Sequence, residues 1–183
     1  MKTMKKFFLT NVLFLMAMSL MAACGNKPKN AETITETAEG QVTEDNDDLA
    51  PDFELPTMQG STLKLSSLRG KYVIIDFWGS WCIWCIRGFP KMKATYTKYK
   101  DKMEILGVDC NDTEIKWKTA VDEYALPWLQ VRCPNKDLPA LAAKYHVQGF
   151  PTKVIVDPKG KIIKIVSGED PAFYTFLDEL FSK

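Results

Sequence analysis

The sequence predicts an α/β sandwich over about residues 49–183, in which helices flank a central mixed β-sheet. Two observations support this fold class. Apolar, β-branched segments typical of strands alternate with segments of helical periodicity, and the order of elements closes with a β-hairpin and a helix. A formal net charge of +1, with no basic stripe in this range, argues against nucleic-acid binding.

The predicted domain begins with a β-hairpin and a central strand. Apolar residues alternate on both sides of a turn at Gly60, which indicates two short antiparallel strands. Residues 72–78, YVIIDFW, are almost continuously apolar and β-branched. Such a run is typical of a strand that is covered on both faces, as in parallel or mixed sheets.

The remaining elements alternate between helix and strand until a final hairpin and helix. Asp157-Pro158-Lys159-Gly160 is a turn signal between the last two strands. The last helix has Asp170 as its cap and Pro171 at its first position. The predicted bounds are helices over 82–99, 113–125, 137–145 and 171–181, and strands over 103–109, 128–131, 152–157 and 161–166.

The first 48 residues predict a targeting segment followed by a linker. Within residues 1–23, lysines precede an apolar run that ends in Met-Ala-Ala before Cys24, and this resembles the lipobox of bacterial lipoproteins. The alternative is an ordinary signal peptide with a stray cysteine. Residues 24–48 would be a lipidated cysteine and a flexible acidic tether. We therefore expect a membrane-anchored protein of the cell envelope, facing the periplasm or the outer side of the cytoplasmic membrane, where disulfides persist.

Two cysteines follow the predicted central strand directly. Cys82 opens the next helix, where unpaired N–H groups and the helix dipole stabilise a thiolate. Cys85 lies within the first turn on the same face, close enough to bridge Cys82, and we expect it to be the more buried of the two. We interpret Cys82 as the nucleophile and Cys85 as the resolving thiol of a redox-active dithiol that needs no other cofactor.

Two other classes of protein can carry cysteines in this pattern. A Cys-X-X-Cys pair begins many zinc sites, but no second close Cys or His pair follows, and copper-delivery proteins space their cysteines one residue wider. Peroxiredoxins begin similarly, yet their motif has a Thr three residues before the cysteine and a Pro seven before, where this chain has Gly79 and Ile75. Dithiol chemistry is therefore the favoured prediction, with a thiol peroxidase and a metal-binding protein as the alternatives.

The stretch DFWGSWCIWC, together with GFPT at 149–152, resembles the thioredoxin superfamily. The start of the domain and the extra segment at about 113–131 resemble its membrane-tethered branch, the TlpA and ResA type of thiol-disulfide oxidoreductases. The resemblance covers about residues 49–183. It implies a thioredoxin-like three-layer sandwich with an N-terminal hairpin, an αβ insertion and protein-disulfide oxidoreductase activity.

The resemblance also implies roles for two residues outside the dithiol. Asp76 lies six residues before Cys82, at the position of a buried acid that exchanges a proton with the resolving thiol; burial should raise its pKa. A structural acid paired with a lysine is the alternative. Pro151 matches a cis-proline that faces the dithiol and turns the Phe150 backbone towards the sulfurs, free to pair with a substrate strand. An ordinary trans proline is the alternative.

The substrate surface is predicted from the same comparison. Trp81 should be a partly exposed aromatic shelf, Trp84 should face outward, and Gly149 and Phe150 should contact the substrate backbone. Trp78 is expected in the core. Gly88 stands where many relatives carry an acid, so any role of that acid is missing here.

Three further residues have open interpretations. Cys110 and Cys133 each follow a predicted strand and could be a disulfide, isolated buried thiols or a second redox pair. His146 is expected to open a strand with a structural role. As partners, the resemblance implies a disulfide-bearing protein substrate that the enzyme reduces and a membrane thiol electron donor, with the chain acting as a monomer.

Overall fold

A computed structural model describes residues 49–182 of the chain. The predicted signal segment, Cys24 and the tether lie outside the described residues. In the described part, a short antiparallel hairpin of β1 (Glu54–Pro56) and β2 (Thr62–Lys64) precedes a mixed five-stranded sheet, as predicted. The sheet is formed by β3 (Tyr72–Trp78), β4 (Met103–Cys110), β5 (Leu129–Cys133), β6 (Thr152–Val156) and β7 (Ile162–Ser167).

The strand order is β5-β4-β3-β6-β7, with β3 at the centre. β3 and β4 are parallel, as are β4 and β5, whereas β6 and β7 run antiparallel to their neighbours. Six of the seven residues of β3 are buried because both faces are covered. A short loop connects the end of this central strand to the cysteine pair.

Four helices connect the strands: α1 (Ile83–Tyr99), α2 (Glu114–Glu123), α3 (Leu138–Lys144) and α4 (Pro171–Phe181). Side chains from α1, α2 and α4 pack on one face of the sheet with Ile74 and Trp78, while α3 and the hairpin cover Ile75 and Phe77 on the other face. This alternation along β3 follows from the two-residue period of a strand. The three-layer prediction is confirmed.

Local capping explains where the helices begin. Asp170 accepts the N–H of Ala172, and Pro171 takes the first position of α4, as the sequence predicts. In α2, Thr113 accepts the N–H of Lys116. Among residues 49–182, no helix is both long enough and apolar enough to cross a membrane.

The structure corrects three details of the prediction. β5 runs to Cys133, so that Cys110 and Cys133 end their strands rather than follow them. His146 does not open a strand. It is exposed in the connection after α3 and has a left-handed backbone with φ of 54°, because the helix ends there.

Candidate active site

Cys82 and Cys85 form a disulfide at the junction of β3 and α1, with their Cα atoms 5.3 Å apart. Cys82 is the N-cap residue of α1, and its sulfur accepts the backbone N–H of Cys85 at 3.1 Å. The sulfur therefore does what a Ser or Asp side chain does at an ordinary helix start. A thiolate formed at this position would keep that donor and face the positive end of the helix dipole.

The two cysteines are almost equally buried in the disulfide form, with exposed fractions of 5% for Cys82 and 3% for Cys85. Cys85 is the more buried of the two, as expected, but only by this small margin. Their difference is one of position: Cys82 precedes the helix and faces its free N–H groups, whereas Cys85 belongs to the first turn.

Trp81 forms an aromatic surface beside the disulfide. About half of the residue is exposed, and its indole Nε1 donates a hydrogen bond to the Cys110 carbonyl at 2.9 Å. Its ring meets Phe150 edge to face at 5.1 Å. The contact brings together two segments that lie about 70 residues apart in the sequence, and the hydrogen bond fixes the ring against the end of β4.

The other two tryptophans differ in burial. Trp84 is 57% exposed and carries the Arg87 guanidinium over its ring at 5.0 Å. Trp78 is fully buried and packs on Phe89 at 5.3 Å. Trp81 and Trp84 are therefore available to a partner, and Trp78 belongs to the core.

The loop before β6 lies next to this surface. The peptide bond between Phe150 and Pro151 is cis. Thr152 Oγ1 donates to the Gly149 carbonyl at 2.7 Å, and the Gly168 amide donates to the Pro151 carbonyl at 2.7 Å. These bonds anchor the loop on both sides of Pro151, while the Trp81 contact places Phe150 close to the dithiol.

Asp76 is buried in the middle of β3, with 2% of its surface exposed. By strand alternation it shares the face of Ile74 and Trp78, on which α1 and Cys85 pack. Burial raises its pKa, the nearby Lys153 ammonium lowers it, and the Glu169 carboxylate raises it again. The lysine of the alternative interpretation is present, but its Nζ lies 3.9 Å from Oδ1 of Asp76, beyond hydrogen-bond distance.

Lys153 and Glu169 were missed by the sequence analysis. Lys153 is buried and lies opposite Asp76 in the β3–β6 register, and its Nζ donates to Oε2 of Glu169 at 2.8 Å. Tyr174 also donates to Glu169. A signal was present: Lys153 is the one charged residue in the strand TKVIV, where a charge needs a buried partner.

Cys110 and Cys133 are free, buried thiols that lie opposite each other on β4 and β5. Burial raises the pKa of both, that of Cys133 to about 11. Of the three interpretations, the structure supports buried thiols. They are neighbours across the sheet rather than isolated, because β5 pairs with β4 in the register that aligns them.

A pair of buried acids lies at the end of β4. Asp112 accepts the Ser80 amide at 2.7 Å and the Ser80 hydroxyl at 2.8 Å, which ties the loop before Cys82 to this strand end. Asp109 is fully buried, and burial together with the adjacent Asp112 carboxyl raises its pKa to about 9. Asp109 is therefore a neutral acid at pH 7. Within residues 49–182, no group of three or more His, Cys, Asp or Glu side chains is arranged to hold a metal ion.

A dithiol at the start of a helix, on a mixed five-stranded sheet and beside a cis-proline loop, defines the class of thiol-disulfide oxidoreductases with an α/β fold. Comparison with known proteins agrees. The chain belongs to the thioredoxin-like family, whose model matches residues 70–162.

Among similar proteins, the thiol-disulfide oxidoreductase ResA of Bacillus thuringiensis (strain Al Hakam) is 33% identical over 121 residues, which cover 66% of this chain and 68% of that protein. The ResA protein of Bacillus subtilis (strain 168) is 34% identical and covers 65% of each chain. The thioredoxin domain of a thiol-disulfide oxidoreductase from Bacteroides vulgatus superposes with a TM-score of 0.65 at 32% identity, covering 72% of this chain and 94% of that one.

These findings confirm the predicted fold class and activity. The chain is a ResA-like thiol-disulfide oxidoreductase with Cys82 and Cys85 as its Cys-X-X-Cys pair. The family membership favours this activity over the peroxidase and metal-binding alternatives.

Proposed function

We propose that this oxidoreductase reduces disulfide bonds of protein substrates in the cell envelope, with Cys82 as the attacking thiolate and Cys85 as the resolving thiol. The position of Cys82 at the N-cap of α1 carries this proposal, since its sulfur accepts the N–H of Cys85 there. A helix N-terminus and Cys-X-X-Cys spacing lower a thiol pKa from about 8.5 into a range of roughly 3.5 to 7.5. The thiolate is the form that attacks a disulfide.

The reaction has two exchange steps. The Cys82 thiolate attacks one sulfur of the substrate disulfide, a mixed disulfide forms, and the other substrate sulfur leaves as a thiolate. Cys85 then loses its proton and attacks the Cys82 sulfur, which releases the second substrate thiolate. Two electrons have passed from the dithiol to the substrate. The enzyme ends with the Cys82–Cys85 disulfide, which is the redox state seen in the structure. A membrane thiol donor would return it to the dithiol.

Asp76 is the proposed acceptor of the Cys85 proton. It lies on the face of the sheet that carries Cys85, and burial raises its pKa towards the pH at which the exchange runs. A general base acts best when its pKa lies near the working pH. Asp76 would hold this proton and return it when the dithiol forms again.

Substrate binding is assigned to the surface around the disulfide. Trp81 and Trp84 offer exposed aromatic faces, and Phe150 packs on Trp81. The loop of Gly149, Phe150 and Pro151 would offer its backbone to an extended substrate segment, as in β-strand addition. This would place a substrate cysteine over Cys82.

The setting of the reaction follows from the sequence. We propose that Cys24 is lipidated and that residues 24–48 tether the domain to the membrane, facing the periplasm or the outer side of the cytoplasmic membrane. In that oxidising compartment, disulfides are available as substrates. The chain would act there as a monomer.

A trapping experiment tests the proposal. The full-length Cys85→Ser protein, expressed in cells, should accumulate mixed disulfides with envelope proteins through Cys82, because the resolving step is removed. The matched control is Cys82→Ser/Cys85→Ser, which keeps Cys110 and Cys133 and should trap nothing. A Cys85→Ser trap that is as empty as this control would contradict the proposal.

A redox titration tests the direction of electron flow. Equilibration of the full-length protein with glutathione buffers, followed by mass spectrometry of Cys82 and Cys85, gives the reduction potential. A reductase of envelope disulfides should lie below the roughly −180 to −210 mV of an oxidising secretory compartment. A potential near that of a strong oxidase, about −120 mV, would reverse the proposed direction of electron flow.

A further inference from the structure

A row of charged side chains leads from the middle of the sheet to the surface beside α1. Asp76 on β3 and Lys153 on β6 are paired in register, and both are about 3% exposed at their side chains. Glu169, in the connection between β7 and α4, has a side chain that is 19% exposed. Lys153 is thus a buried cation placed between one buried carboxyl and one that reaches solvent.

The ammonium group of Lys153 lies closer to one of these two carboxyls. Its Nζ is 2.8 Å from Oε2 of Glu169 and 3.9 Å from Oδ1 of Asp76. The first is a charge-assisted hydrogen bond, and the second is not a hydrogen bond. Oδ1 of Asp76 has no hydrogen-bond partner among the described residues. Tyr174 donates to the other oxygen of Glu169 and helps to hold that carboxylate in place.

Gly88 makes room for this arrangement. A Cβ atom added to Gly88 would lie 2.4 Å from Oε2 of Glu169 and 2.7 Å from its carboxyl carbon, inside van der Waals contact. Gly88 lies three residues after Cys85 in α1, where a glycine weakens a helix relative to alanine. The Glu169 carboxylate therefore occupies the space that a side chain at position 88 would fill, and it packs against the helix that carries the dithiol.

We propose that Glu169 is a positioning residue for the redox reaction: it holds the Lys153 ammonium away from Asp76, so that Asp76 remains able to exchange a proton with Cys85. Gly88 is the residue that admits Glu169 to this place. The inference rests on the proposed function, in which Asp76 accepts the Cys85 proton.

The physical reason lies in the strength of the Asp76 carboxylate as a base. An ammonium ion in direct contact would stabilise the ionised carboxyl and weaken it as a base. Glu169 acts twice against this, because it attracts the cation and adds a negative charge nearby. The titratable groups on the Asp76 face of the sheet are Lys153 of β6, Glu169 of the β7–α4 connection, Tyr174 of α4 and, in the reduced protein, Cys85 of α1.

The test is a pH titration of the Asp76 side-chain carboxyl by NMR in the full-length, carboxyl-labelled protein, with the signal assigned from Asp76→Asn. Glu169→Gln should lower the midpoint of Asp76 by about one pH unit, because Lys153 then turns to Asp76. Lys153→Met should raise it by about one unit, since the ammonium that lowers the Asp76 pKa is lost. Shifts of opposite sign are not expected from a loss of packing alone.

Two further variants make the test independent of the folding of Lys153→Met. Gly88→Ala changes no charge and favours the helix, but its methyl group displaces the Glu169 carboxylate, so it should lower the Asp76 midpoint as Glu169→Gln does. Glu179→Gln removes an exposed carboxylate of α4 and should leave the midpoint unchanged. The inflection in the pH profile for oxidation of the dithiol by a small disulfide should move with the midpoint in every variant.

Two results would overturn the inference. One is a midpoint in Glu169→Gln that equals that of Glu179→Gln, and the other is a shift of the same sign in Glu169→Gln and Lys153→Met. The substrate trap reports separately on the proposed function. If Cys85→Ser traps substrates but the Asp76 midpoint does not change in the variants, only the role of Glu169 is refuted. If Cys85→Ser traps nothing but the midpoints shift as expected, the substrate reaction is refuted and the effect of Glu169 on Asp76 stands.

Discussion

The two cysteine pairs of this domain differ in the backbone groups that surround them. Cys82 and Cys85 sit at the start of a helix, where a backbone N–H points at the Cys82 sulfur. Cys110 and Cys133 end two neighbouring strands, where the strand amides pair within the sheet and the sulfurs lie in apolar surroundings. Both pairs are almost fully buried. Burial alone therefore does not decide which thiol reacts: it raises the pKa of a thiol unless local charges and dipoles stabilise the thiolate.

Each pair also has a buried acid nearby, and the two acids differ in their partners. Asp76 faces the Lys153 ammonium, which Glu169 holds. Asp109 faces a second carboxyl, that of Asp112, and burial together with this neighbour raises the Asp109 pKa. Burial is the main cause of the raised Cys110 pKa, and the Asp109 carboxylate raises it further once it is ionised. In the proposed function, the first acid exchanges a proton with Cys85, whereas the second has no part in the reaction.

The largest expected difference between the pairs is in activity. Cys82→Ser should abolish reduction of a protein disulfide, because no thiolate is left at the helix start to attack it. Cys133→Ala also removes one thiol and should retain wild-type turnover, apart from a stability loss of about 1 kcal/mol for the smaller side chain. Insulin reduction assays on the full-length variants measure both. Equal loss in the two variants would mean that the strand-end pair takes part in the reaction.

The second expected difference between the two cysteine pairs is in the rate of alkylation. In the reduced protein at pH 7, iodoacetamide should modify Cys82 at least about a hundredfold faster than Cys110 or Cys133, since burial raises the pKa of both strand-end thiols. Peptide mass spectrometry of a time course gives the rates. In denaturant the rates should converge. Comparable labelling of Cys133 and Cys82 in the folded protein would remove the distinction drawn from their surroundings.

Asp109, the acid beside Cys110, should make the free energy of unfolding decrease as the pH rises. Its folded pKa of about 9 lies well above the unfolded value of about 3.9, so the stability it contributes is complete below pH 4 and is lost as pH rises towards 9. Between pH 5 and pH 8, the wild type should lose about 4 kcal/mol more unfolding free energy than Asp109→Asn. Urea denaturation at both pH values measures this difference.

The matched control for that measurement is Asp101→Asn, which changes an exposed acid in the turn after α1. It should reproduce the wild-type decrease. If Asp109→Asn shows the same decrease as this control, Asp109 is ionised at pH 7 and the contrast between the two buried acids is wrong.

The smallest expected effect is on substrate affinity and concerns Trp81, which forms an aromatic surface beside Cys82 and Cys85. Trp81→Ala should raise the KM for a protein disulfide about three- to tenfold, the size expected for the loss of an aromatic contact, and leave the rate with a small disulfide nearly unchanged. Ile163→Ala, an exposed apolar residue on the edge strand β7, is the control and should change neither. A parallel loss with both substrates would place the role of Trp81 in shaping the dithiol rather than in binding the substrate.

Sequence reasoning reached the dithiol because its geometry is local. A strand followed at once by Cys-X-X-Cys and a helical pattern places both sulfurs on one helical turn, whatever the rest of the chain does. The same holds for the cap of α4 at Asp170 and Pro171. The position of His146 was predicted wrongly, since the last turn of α3 ends in a left-handed residue that no periodicity in the sequence marks.

By itself, the sequence determined the order of strands and helices, the dithiol at the start of α1 and the acid in the strand before it, because these depend on spacings of a few residues. Only the tertiary structure decided that Cys110 and Cys133 are neighbours, that Lys153 lies beside Asp76, and that Glu169 fills the space left open at Gly88. The physical reason is that these contacts join segments far apart in the chain, and their partners depend on sheet register and on the packing of α1 and α4.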